Sequence, residues 1–233
     1  MIETIETPPT GKKTDSDILH DVARELAWDT RISPTEIGLQ VSQGVVTLTG
    51  TVDSWAKLRA AQEAAHRVLG VLDVANDLAV KPAGSAGRTD TEIAQAVRRA
   101  LEWDVLVPDQ QIRSTVAHGV VTLEGTVAHW NQRFDAERAI ERLAGVKRVL
   151  NRIEVKPNEE VDLERARLAV DRALARHASR EAARLQVQAA ADGTVMVSGA
   201  VDTLQEKEAV LGAVRGTRGV RDVSDHLRIA SHS

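Results

Sequence analysis

Cysteine is absent from the 233 residues, which excludes disulfides, thiolate nucleophiles and cysteine metal ligands. Aromatic side chains are nearly absent: four tryptophans and Phe134 are all there are. No apolar run approaches the ~18 residues that span a bilayer. The stretch 1–13 is polar, with Pro8, Pro9, Gly11, Lys12 and Lys13, and lacks the apolar centre of an export signal. A flexible tail and a cytoplasmic location are the expectations. Excess charge is lacking too. Residues 15–82 hold 6 basic and 10 acidic side chains, residues 88–157 hold 11 and 10, and residues 158–229 hold 11 and 12. No segment is basic enough for a general nucleic-acid binder. Nucleophile elbows and phosphate loops are missing, and the seven histidines show no paired ligand spacing. No catalytic residue, cofactor or metal is expected.

What the chain has is repetition. Gly-Val-Val-Thr-Leu-Thr-Gly-Thr-Val at 44–52 returns at 119–127 as Gly-Val-Val-Thr-Leu-Glu-Gly-Thr-Val and at 193–201 as Gly-Thr-Val-Met-Val-Ser-Gly-Ala-Val. The steps are 75 and 74 residues, and a second marker, Gly70-Val71, Gly145-Val146 and Gly219-Val220, keeps them. Three copies of one small unit follow. Each core stretch alternates apolar and polar positions in β-branched residues, as a half-buried strand does. Its leading glycine (Gly44, Gly119, Gly193) separates two alternating runs and predicts a hairpin turn at positive φ. The inner glycine (Gly50, Gly125, Gly199) lies on the apolar face and predicts a close approach, by a crossing helix or at a bulge.

A helix is predicted over 16–28, where Ile18, Val22 and Leu26 recur every four residues. Thr14 with Asp17, and Thr89 with Glu92, resemble capping pairs. A second helix is predicted over 54–69, with Trp55, Ala61, Ala65 and Val68 on one face and Gly70 ending it. A last strand carries Val71, Val74, Leu78 and Val80, and Lys81-Pro82 opens a linker at 83–87. The second copy repeats this plan. The third is divergent: its first-helix stripe, Ala166, Val170 and Leu174, is offset by 73 residues, which places one extra residue in the turn Ala190-Ala191-Asp192-Gly193. Each unit, 14–82, 88–157 and 158–230, is thus α-β-β-α-β. A right-handed crossover lays the third strand parallel to the second. The predicted fold class is α+β: three tandem three-stranded mixed sheets, each with two helices on one face.

This order, with the Gly-Val-Val-Thr-Leu-x-Gly-Thr-Val core and the later Gly-Val, resembles the BON domain family over residues 15–229. The resemblance implies a non-enzymatic binding module associated with phospholipid interfaces, envelope integrity and osmotic stress. Export and lipid anchoring, common in that family, find no signal and no lipobox cysteine here, so the inner face of a membrane is the expected contact.

Trp28 and Trp103 sit at the end of the first helix, each followed by Asp, and are candidates for lipid, partner, inter-repeat or core-edge contact. Arg176 holds that position in the third copy. Trp55 and Trp130 start the second helix, where the third copy has Leu204, and are expected to seal the core. Arg98, Arg99, Arg138, Arg142, Lys147 and Arg148 offer anionic headgroups a footing, or form a solvated face offset by Glu137 and Glu141. Three readings stay open: a peripheral phospholipid binder, a soluble scaffold that binds a protein partner or itself, and a binder of small molecules between repeats.

Overall fold

The computed structural model describes residues 13–33, 37–82, 88–157, 160–176 and 185–230, with the side chains of 171 and 173–176 outside the description. The expected tail before Lys13, the linker at 83–87 and the side chains of Leu174 and Arg176 therefore lie outside the described residues.

The first unit runs α1 (Asp15–Trp28), β1 (Ile37–Ser42), β2 (Val45–Val52), α2 (Trp55–His66), β3 (Asp73–Val80). The second runs α3 (Asp90–Trp103), β4 (Ile112–Ala117), β5 (Val120–Val127), α4 (Trp130–Ile140), β6 (Arg148–Val155). The third runs α5 (Leu163–Arg176), β7 (Gln186–Ala189), β8 (Thr194–Val201), α6 (Leu204–Arg215), β9 (Asp222–Ile229). In every sheet the repeated core stretch is the middle strand, antiparallel to the strand before it and parallel to the strand after it. The mixed α+β fold expected from the repeats is the fold observed.

Local chemistry explains each element. Thr14 caps α1 and Thr89 caps α3, each closing a capping box with Asp17 or Glu92. Ile18, Val22 and Leu26 bury the inner face of α1 against Val46, Leu48 and Val52 of β2. Full burial of one such side chain contributes about 1.5–3 kcal/mol. The same positions, Ile93, Val97 and Leu101 with Val121, Leu123 and Val127, build the second core. Gln43 and Gly44 both have positive φ (52° and 76°), as do His118 and Gly119 (54° and 79°), the paired sign that a two-residue hairpin twisted with its strands demands. The third hairpin is longer by the expected residue: Ala190 N–H donates to the Thr194 carbonyl (2.8 Å) and Gly193 N–H to the Ala190 carbonyl (3.1 Å).

Two expectations need correction. The inner glycines do not lie under a helix. Gly50, Gly125 and Gly199 hold φ of 118°, 143° and 135°, and a Cβ on Gly125 would stand 2.1 Å from the carbonyl oxygen of Gln111. At Gly125 the close neighbour is the backbone entering the adjacent antiparallel strand, and glycine answers both the dihedral and the space. The second helix is also shorter than predicted. It ends at His66, and a turn carries Gly70, whose φ is 91°, under Ile18 of α1.

The three units close into a ring. Trp55, first residue of α2, packs on its own core and on the core of the second unit. Trp130, first residue of α4, packs on its own core and on that of the third. Leu204, first residue of α6, packs on the core of the first unit. One heterologous contact is used three times, and with three equal units it closes. The far ends of the same helices complete it: Arg215 stacks over Trp130 at 5.4 Å, Glu141 lies near Arg59 and Glu63, and His66 lies near Glu208. The expectation that Trp55 and Trp130 seal their own cores is thus half the account. They also join each unit to the next.

Candidate interaction surface

The end of the first helix is where the units differ most. The C-cap of α3 is Asp104; its side chain accepts from Leu106 N–H (3.0 Å), and its carbonyl accepts from Val107 N–H (3.0 Å). Val107 is drawn into the core, which turns its neighbours outward. Val105 is 96% exposed, Trp103 85% and Leu106 62%. Arg98 fixes the base of this tip, reaching Glu102 (2.7 Å), the Asp109 carboxylate (2.5 Å) and the Asp109 carbonyl (3.2 Å).

The first unit builds the same turn with different chemistry. Ile32 takes the inward place of Val107, and Thr30 and Arg31 replace Val105 and Leu106. Arg31 folds back on Asp29 (2.7 Å) and Glu63 (3.3 Å), and Arg67 reaches Asp29 at 3.4 Å. The Arg31 guanidinium holds the Asp29 carboxyl down to about 2. This turn is polar and self-paired, although Trp28 above it is 78% exposed. Neither helix-one tryptophan packs at a core edge or a joint, which corrects that part of the expectation.

The basic candidates divide. Arg98 is committed to Glu102 and Asp109 and is no free cation. Arg99, Arg138, Lys147 and Arg148 are exposed, and among the described residues none has an ion-pair partner. Arg142 is exposed, with Glu141 at 3.7 Å. Of the two carboxylates expected to offset them, Glu141 lies beside Arg142, with burial raising its pKa, while Glu137 accepts from Asn151 (3.1 Å). The structure therefore brings an apolar tip and unpaired cations onto one unit.

Some structural residues escaped the sequence reading. Asp15 accepts from the N–H groups of Gln43 (2.7 Å) and Gly44 (2.9 Å), and Asp90 accepts from those of His118 (2.7 Å) and Gly119 (2.9 Å). Each ties the first helix to the hairpin of its unit. The recurrence of Asp at a 75-residue step was the available signal. Asn76 and Asn151 bond the second helix to the last strand, Asn151 through the Arg133 carbonyl at 2.9 Å. The exposed Val105-Leu106 pair was announced only by two apolar residues in a predicted turn. Among the described residues, no helix is long and apolar enough to cross a membrane.

The chain is 34% identical to osmotically-inducible protein Y of Escherichia coli (strain K12) over 148 residues, covering 61% of this chain and 73% of that protein. A search of solved structures returns the C-terminal domain of CdsD, the structural protein of the type III secretion system of Chlamydia trachomatis, at 12% identity over 94% of this chain and 100% of that one. Its TM-score of 0.24 is too low to carry an architectural argument. The BON domain model matches residues 14–82, 89–157 and 162–231, one match to each unit, and the chain belongs to the BON domain family.

Proposed function

We propose that this chain is a non-catalytic binding protein that associates peripherally with anionic phospholipid surfaces in a role tied to osmotic stress. The observation that carries the reading is the apolar tip of the second unit, Trp103, Val105 and Leu106, set on a hydrogen-bonded turn and exposed. An indole beside aliphatic side chains is the composition that favours a headgroup–acyl boundary. Arg99, Arg138, Arg142, Lys147 and Arg148 of the same unit supply a salt-sensitive attraction to anionic lipid, each cation contributing about 1 kcal/mol near such a surface. Trp28 adds a second, isolated indole. A rotation that superposes successive units of a closed ring keeps equivalent positions at one height, which favours Trp28 and Trp103 meeting one surface. The similarity to an osmotically inducible protein supports the stress context.

The test is co-sedimentation of the full-length protein with vesicles of phosphatidylcholine alone and with phosphatidylglycerol added, at low and physiological salt. Trp103→Ser/Val105→Ser/Leu106→Ser should lower binding at least tenfold without changing the melting temperature. Arg99→Glu/Arg148→Glu should remove the preference for anionic lipid. The expected compartment, the cytoplasm with contact at the inner membrane, is tested by fractionating cells that express the tagged full-length protein.

A second reading uses the same tip. Val105 and Leu106 would be covered by a protein partner or a second copy, as in a scaffold. A stable oligomer insensitive to salt, with no vesicle binding, would favour it.

A further inference from the structure

We propose that the joint between the second and third units is an oxyanion site, in which Arg133 receives a phosphate group. Equivalent positions of the second and third units differ in how a cation is neutralised. Lys207 of the third unit and Arg133 of the second occupy the same position, as do Asp225 and Asn151. In the third unit the cation is neutralised internally: Lys207 Nζ lies 2.8 Å from Asp225 and donates to the Leu227 carbonyl at 3.1 Å. In the second unit the carboxylate has become a neutral amide. Arg133 donates to the Asn151 carbonyl at 2.9 Å, and among the described residues no carboxylate lies within ion-pair distance of it. The first unit has Leu58 there, and the question does not arise.

The cation left over is half-buried, with a second guanidinium beside it and the carboxylates of Glu137 and Asp222 near but beyond ion-pair distance. Burial is the main cause that pushes the Arg133 pKa down, Arg215 pushes the same way, and Glu137 and Asp222 oppose them. The two guanidiniums face the ring of Trp130, Arg133 at 5.0 Å and Arg215 at 5.4 Å. An indole face offsets part of the cost of a desolvated cation but supplies no acceptor. Arg215 has one distant carboxylate, Glu208 at 3.9 Å, and its Nε is buried without a hydrogen-bond partner. A partly desolvated guanidinium with unused donors is stabilised most by a bidentate oxyanion.

The space for one is present. A cleft of about 930 Å³ opens at this joint, lined by Trp130, Arg133, Lys156, Glu160, Arg221 and Asp222 among others. Two further lining cations are already paired, Lys156 with Glu154 (3.0 Å) and Arg221 with Asp192 (3.5 Å). Among the described lining residues Arg133 is thus the cation without an ion pair, and a ligand at it also meets the carboxylates of Glu160 and Asp222. The volume exceeds that of inorganic phosphate, so a phosphate monoester or the phosphate of a lipid headgroup also fits.

The experiment titrates full-length protein calorimetrically with inorganic phosphate and glycerol 3-phosphate, and separately with phosphatidylglycerol vesicles, comparing wild type with Arg133→Leu. Leu58 shows that this position accepts leucine. A second variant, Asn151→Asp/Glu137→Leu, reproduces the Asp225 and Leu211 of the third unit, gives Arg133 an internal counter-ion and should compete with any ligand. Saturable binding of a soluble phosphate, weakened at least tenfold by Arg133→Leu, supports the site with a free phosphate as its source. No soluble binding, but vesicle binding weakened tenfold by Arg133→Leu with Trp103, Val105 and Leu106 intact, supports the headgroup as source. No binding of any of the three probes, or binding unchanged by both variants, overturns the proposal. Loss of the apolar-tip effect on vesicles leaves the soluble titration untouched, so the two readings fail separately.

Discussion

At the scale of single residues, glycine and aspartate carry constraints that composition hides. Gly125 combines a φ of 143° with a carbonyl oxygen 2.1 Å from where a Cβ would stand. Gly125→Ala should destabilise the protein by about 2–3 kcal/mol from the dihedral alone, with the clash added, as measured by urea unfolding. Asp29 makes a pH-dependent contribution. Arg31 holds its carboxyl down to about 2 from an ordinary 3.8, so the folded state keeps the charge to lower pH than the unfolded chain does. That stability is fully present above 3.8 and is lost as pH falls through about 2. Asp29→Asn should flatten the loss of melting temperature over that window. A wild-type slope in the variant would show that the clamp under Trp28 contributes little.

At the scale of elements, the second helix has two tasks. Its inner face fills a core, and its first residue reaches the next unit. Trp55→Ala should cost about 2–3 kcal/mol, since a half-buried indole and a joint are lost together. The joint from the third unit to the first has the smallest anchor, Leu204, and no peptide linker across it. Leu204→Trp should raise the melting temperature and slow amide exchange in α2 and α6 while leaving α4 unchanged. Uniform exchange at all three joints in wild type would contradict the ranking. His66 belongs to this joint. Burial, its largest perturbation, holds its pKa below the ordinary 6.5, against opposition from Glu208, Asp73 and Glu63. Stability contributed by neutral His66 is present above 6.5 and declines as pH falls through the lowered value. His66→Gln should remove that decline in a melting series between pH 7.5 and 5.5.

At the scale of the whole molecule, sequence and structure part company at the joints. The repeats made the elements legible because period-2 and period-3.6 patterns are local, and the 75-residue step set their order. The one-residue insertion in the third hairpin was readable for the same reason. Ring closure was not readable: Trp55 meeting two cores is a relation between elements far apart in sequence, and an apolar residue at a helix start looks alike in either role. The tip was half legible. Trp28 and Trp103 stood out by rarity, but only the inward turn of Val107 reveals that Val105 and Leu106 point outward. Arg98 looked free and is clamped, because its carboxylate partner Asp109 lies beyond a turn.

The ring gives the tips a common frame, and binding to a bilayer is the claim on which the functional account rests. The most direct measurement is co-sedimentation with phosphatidylglycerol-containing vesicles at physiological salt, with tryptophan emission followed in the same samples. The account predicts binding with a blue shift, reduced at least tenfold in Trp103→Ser/Val105→Ser/Leu106→Ser and preserved in Phe134→Ser, whose ring is exposed away from that turn beside Trp130. Wild-type protein that stays in the supernatant at every salt concentration, or a tip variant that binds as well as wild type, would contradict it.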